Sequence, residues 1–423
     1  MPAENNFQHA PYLRADPGDR VAYRELVPGP PPGSAAWSEA MTALGHQLSK
    51  AGVRTIVFLH GALTGADLFG MGRLDEVGGL KRGYSRGISG LDALLAAMRQ
   101  DTNGLAGPSF PAPLQNDAAT KQRLDEQLLD AGNFTGATVA QVAACFGKAA
   151  PQPIRCERIL WSCEHHHLGR AIATVTLLER LRRLSTEAKL GASDRLLVLA
   201  HGHAGQLLAL ASNFLTPTPL SGKKKLIELL TSYAQQTSRD DLLTTLTSLE
   251  PGLMSGALFN GIQLDVVTLG TPVRYGWDPG GVGKLLHIVN HRPLRADGKR
   301  WLAKLELPQV TVEMPVVWGG DYVQQLAVAG SDALPVTPED KAANKAVWEL
   351  VEPWDGFERW LECARKSVRC PEDGLCLLVD YKDCNGSANV RDHYYGHAAY
   401  TRADAMLFTI TEIAKTLYLG TMS

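Results

Sequence analysis

The sequence predicts an α/β fold, a mostly parallel central sheet with helices on both faces. Two observations predict it. Short apolar runs are continuous rather than alternating, which is the pattern of strands buried on both faces. Each run leads into a Gly- or His-containing polar stretch and, in most cases, on to a helical pattern, as crossover connections require. The unusual polar clusters all fall just after a run, where such sheets collect function.

Taken in order, Arg54 to His60 (RTIVFLH) is the first run and ends in Gly61. A helix is expected around Ala119 to Ala131. Arg158 to Ser162 (RILWS) runs into CEHHHLGR and a helical Ala171 to Leu184. Arg195 to Ala200 (RLLVLA) runs into HGHAGQ and the helical LLALASNF. Ser221 to Leu253 reads as mostly helical, and Leu264 to Leu269 (LDVVTL) leads into GTPVRYGW. Gln324 to Ala329 (QQLAVA) leads into GSDALP and a helical Thr337 to Trp348. Leu375 to Val379 (LCLLV) precedes a polar loop and the helix-like ADAMLFTITEIAKTLYL. The long connections at about 62–155, 215–258 and 278–322 are expected as insertions that form a cap or lid on one domain spanning 1–423.

Composition excludes several classes. The 423 residues carry 42 Lys plus Arg against 44 Asp plus Glu, so no global field attracts nucleic acid or anionic membrane. No apolar run approaches the ~20 residues that span a bilayer, and the N-terminus lacks a signal-peptide pattern. Seven cysteines, thinly spread and with no CxxC pair, make neither a disulfide framework nor a zinc motif. A cytoplasmic protein without cofactor or metal is expected, and no oligomeric state is implied.

These landmarks resemble the α/β-hydrolase superfamily, in particular its lipase and esterase branches, discontinuously from about Arg54 to Leu419. His60-Gly61 resembles the loop whose backbone N–H groups, here with Ala62, help form an oxyanion hole. LLVLAHGHAGQLLALA resembles the strand, turn and helix that carry the nucleophile, and VVTLGTP is similar to a stretch frequent in lipases. AGSDALP is similar to the acid loop, and GHAAYT sits where the family's last histidine belongs. The resemblance implies an ester or acyl substrate, His397 as general base and Asp332 as its orienting acid.

The sequence departs from the family at the nucleophile. The turn reads G-x-S-x-G in the family; here Ala200 and Ala204 take the small flanking positions and Gly202 stands where the serine belongs. Glycine has no hydroxyl, so no acyl-enzyme can form on it. The other register puts His203 at the apex but sets the bulky His201 at a small-residue position. Such a chain is either a natural relative without the serine or a deliberately inactivated form.

Other residues have both a functional and a plain reading. His60, His201 and His203 line the pocket or pack at the turns. His165 and His167, with Glu164, could chelate a metal from the His-rich loop, though no recognised metal spacing supports it; the plain reading is a helix-entry loop. Trp161 lines the pocket or belongs to the core, as do Trp277, Trp318, Tyr394, Tyr395 and Tyr400. His393 rivals His397, and Asp380 and Asp383 are alternative acids. Ser162 and Cys163 are alternative nucleophiles. Ser85 matches G-x-S-x-G literally but follows no apolar strand. An esterase- or lipase-like protein acting on or binding an ester is therefore expected; the alternatives are a non-catalytic ligand-binding relative and a metal-dependent hydrolase.

Overall fold

Among the described residues, seven strands, all parallel, form one sheet in the order β1-β7-β6-β5-β4-β2-β3. They are β1 (Ala22–Glu25), β2 (Val53–Leu59), β3 (Arg155–Ile159), β4 (Arg195–His201), β5 (Gln263–Leu269), β6 (Lys284–Asn290) and β7 (Leu375–Asp380). The helices are α1 (Ala35–Lys50), α2 (Ala118–Leu128), α3 (Gly136–Phe146), α4 (His167–Glu187), α5 (Ala204–Leu215), α6 (Ser221–Gln236), α7 (Asp240–Ser255), α8 (Pro338–Val351) and α9 (Ala403–Ile413). This computed structural model describes residues 21–61, 116–164, 166–217, 221–291, 320–321, 323–324, 335, 337–351, 370–382 and 396–420.

Both faces of the sheet are covered, which is why its strands read as unbroken apolar runs. Val57, Leu59, Leu196, Val198, Ala200, Leu264 and Val266 share one core with α4 to α8. Their chain neighbours Ile56, Phe58, Leu197, Leu199 and Val267 face the opposite core, with α1, α3 and α9. Helix α1 shows the local logic. The Ser34 hydroxyl accepts the Trp37 N–H at 3.2 Å, capping the first turn. Trp37, Met41, Leu44 and Leu48 then recur every three or four residues and are buried.

The strand expected at 324–329 is absent at its start, because Val323 and Gln324 are helical; 325–329 lie outside the described residues. A strand does lie at 284–290, inside the span 278–322 expected to be a cap insertion: β6 is central, between β5 and β7. The run KLLHIVN hides its strand character behind His287. Burial holds that imidazole down to about 3, so it is neutral. It accepts the Thr268 O–H at 2.7 Å and donates to the Asp373 carbonyl at 3.1 Å, so its polarity is satisfied inside the sheet. Within 215–258, α6 and α7 contribute Leu226, Leu230, Leu242, Leu246, Leu249 and Leu253 to the core on the α4 side. In 62–155, α3 joins the opposite core; 62–115 and 292–319 lie outside the described residues. Among the described residues no helix is long and apolar enough to cross a membrane.

Register places the strand tips side by side. Leu59 is paired with Ala200, His201 with Leu269, Leu269 with Ile288, and Asn290 with Val379. The residues just after β2, β4, β5 and β6 therefore form one row.

Candidate active site

The turn after β4 is built around Gly202. Its φ of +55° lies in the left-handed region, which glycine enters without steric cost. The turn is tied to its neighbours. The Gly202 N–H donates to the Leu269 carbonyl at 2.9 Å, and the Thr271 hydroxyl donates to the Gly202 carbonyl at 2.8 Å. A Cβ on Gly205 would run into the Thr271 side chain, so helix α5 can approach the β5 loop this closely only with glycine there.

His397 follows β7 and meets this turn. Its Nδ1–H donates to Asp321 Oδ2 at 2.7 Å, and both side chains are buried. A carboxylate accepts, so Nδ1 carries a proton, and in the neutral ring the lone pair is on Nε2. A Cβ placed on Gly202 would stand 2.7 Å from that Nε2 and 3.7 Å from the Gly61 Cα. Asp321 is held firmly. The Tyr400 O–H donates to its Oδ2 at 2.9 Å, and the Gln324 N–H donates to its Oδ1 at 2.8 Å. Tyr400 is set in turn by the Asn290 N–H, which donates to its oxygen at 2.6 Å.

His201, the last residue of β4, donates from Nε2 to the His397 carbonyl at 2.9 Å, and the two rings lie 4.3 Å apart. Its Nδ1 faces Gly61 so closely that a Cβ there would collide with it. Burial first, then the neighbouring His397, holds the His201 imidazole well below the ordinary histidine range. His60 is likewise buried; burial and then Arg158 bring it down to about 3. Its ring Nε2 is 3.3 Å from Cys163 Sγ, and its carbonyl accepts the Trp161 indole N–H at 3.1 Å. Cys163 has a φ of +56°, an uncommon conformation for a non-glycine residue.

The structure therefore brings Gly202, His397, His201, His60 and Gly61 together at the strand tips. His203 is adjacent, as the N-cap residue of α5. Asp332 lies outside the described residues; the carboxylate on His397 is Asp321. Ala62 and His165 also lie outside them, as do Ser85, Trp318, Asp383, His393, Tyr394 and Tyr395. Trp161 belongs to the core. His167 is engaged by the Tyr275 hydroxyl at 2.8 Å and by Arg274 at 3.4 Å. His166 caps α4 by accepting the Gly169 N–H at 2.9 Å, and burial holds the Glu164 carboxyl above its usual range. Among the described residues no group of three His, Cys, Asp or Glu side chains could hold a metal ion. Asp380 accepts the Lys382 N–H in a turn at 2.7 Å.

Asp321, Gln324 and Asn290 escaped the sequence reading. Asp321 follows Gly319-Gly320, a turn signal with no motif around it. Comparison of the chain with protein-family models, with curated proteins and with solved structures found no match.

Proposed function

We propose that the chain is an α/β-hydrolase-type protein of esterase- or lipase-like lineage. Its strand-tip site takes an ester or acyl group, and it has no serine to form an acyl-enzyme at the turn after β4. The observation that carries this reading is the Asp321–His397 pair aimed at Gly202. An imidazole whose Nδ1 proton is held by a buried carboxylate, with Nε2 free to take a proton, is what acyl transfer asks of a base. Chain order supports it. Gly61 follows β2, Gly202 follows β4, Asp321 follows β6 and His397 follows β7, matching the family's order of oxyanion loop, nucleophile, acid and base. The backbone N–H of His203, just after the Gly202 turn, would meet a developing oxyanion.

A second reading, a ligand-binding relative without turnover, is favoured by the 2.7 Å between Nε2 and the Cβ position of Gly202. The imidazole already crowds the place of a side chain there. Gly202→Ser, treated with a fluorophosphonate probe and a short-chain ester, separates the two. Labelling at position 202 with gained ester hydrolysis supports the hydrolase lineage. A folded Gly202→Ser chain that neither labels nor hydrolyses overturns it.

A further inference from the structure

We infer that His397 is itself a nucleophile, accepting an acyl group on Nε2 from activated donors such as aryl esters, thioesters or acyl phosphates. The inference rests on the acyl-site reading above. Two observations converge on it. Among the described residues nothing is bonded to His397 Nε2, while Nδ1 is pinned to a carboxylate that two further donors hold in place. Nε2 is 2.7 Å from the Cβ position of Gly202, so a ring nitrogen stands at the turn where a side-chain nucleophile would begin.

The step balances without any group beyond donor and water. The Nε2 lone pair forms a bond to the carbonyl carbon, and the carbonyl π pair moves onto oxygen. Collapse breaks the bond to the leaving group, which departs as aryloxide, thiolate or phosphate with that electron pair. The ring's positive charge is shared with Asp321 through the Nδ1 proton. Water then adds to the acyl carbon and loses one proton to solvent, Nε2 leaves with its pair, and the carboxylic acid gives its own proton to solvent. Imidazole expels only leaving groups about as weakly basic as itself. An alkoxide would expel imidazole instead, so alkyl esters are not donors. Histidine is an accepted covalent nucleophile on these terms.

The test uses the full chain with p-nitrophenyl acetate and, separately, ethyl acetate. The aryl ester should be turned over and the alkyl ester should not. Carbonyl-¹³C-labelled aryl ester should give an N-acylimidazole resonance on the protein, and hydroxylamine added after rapid removal of free ester should yield acetohydroxamate. His397→Gln should slow nitrophenolate release about 100-fold while its thermal transition stays in place. Turnover with no trappable acyl group would make His397 a base for water and overturn the inference. Undiminished turnover in His397→Gln would overturn it as well. If the native chain releases no nitrophenolate yet Gly202→Ser takes the fluorophosphonate label, the nucleophile falls and the acyl site stands. If neither reacts, both fall.

Discussion

The two ends of the sheet's strands each bury a carboxylate, and they treat it differently. Where the strands begin, Arg195 grips Asp265 through both oxygens at 2.8 and 3.0 Å, and the Tyr418 hydroxyl donates to Oδ2 at 2.7 Å. Where the strands end, Asp321 meets an imidazole, a phenol and a backbone N–H. One carboxylate faces a permanent cation and serves to lock strands β4 and β5 together. The other faces a group that can gain and lose a proton. The contrast teaches that burial alone does not decide what a carboxylate can do; the partner's chemistry does.

Acid should break the comparison most visibly. His60, His201 and His287 are held neutral in the fold by burial, His60 and His287 down to about 3. The unfolded chain takes up these protons near the usual 6.5. Their contribution is therefore complete above pH 6.5 and is lost as pH falls from there toward 3. His60 and His287 each cost about 1.4 kcal/mol per pH unit in that window, about 3 kcal/mol per pH unit together, and His201 adds in the same direction. Asp265 has the opposite sign. Burial outweighs Tyr418 and Arg195 and raises its carboxyl, so its contribution grows as pH falls through the folded value. Urea midpoints measured from pH 7 to 5 should fall steeply, and a flat profile would contradict the neutral histidines.

The ion pair offers a sharper asymmetry. Arg195→Met leaves the wholly buried Asp265 side chain without its cation and should cost about 3 kcal/mol. Asp265→Asn leaves Arg195, whose side chain is 24% exposed, able to reach water, and should cost about 1 kcal/mol. Chemical denaturation of both variants checks the order; equal losses would mean that Asp265 is less isolated than its burial implies. Smallest is Tyr400→Phe. It removes one donor to Asp321 and the acceptor of the Asn290 N–H, at a cost of about 1 kcal/mol. Chemical denaturation of this variant checks it, and an unchanged midpoint would mean that Tyr400 only packs.

Much of this was legible in the chain, and the gaps have physical causes. Strands β2, β4, β5 and β7 announced themselves because both of their faces are buried. Strand β6 did not, since His287 breaks its apolar run and only Thr268 and the Asp373 carbonyl, distant in sequence, make that polarity tolerable. Helix α1 carried its signal in Trp37, Met41, Leu44 and Leu48, and that signal was overlooked. Gly202 and His397 were found from the order of landmarks. Asp321 was not, because a short acidic turn becomes informative only when the ring it serves is brought to it from 76 positions away.

The hydrogen bond from His201 to the carbonyl of His397 joins positions 196 residues apart. A nascent chain that has emerged only as far as α5 carries Gly202, but neither the Leu269 and Thr271 groups that tie its turn nor the ring that faces it. The ring that faces the turn comes only after β7, so the two cannot meet until that strand has been made and has joined the sheet.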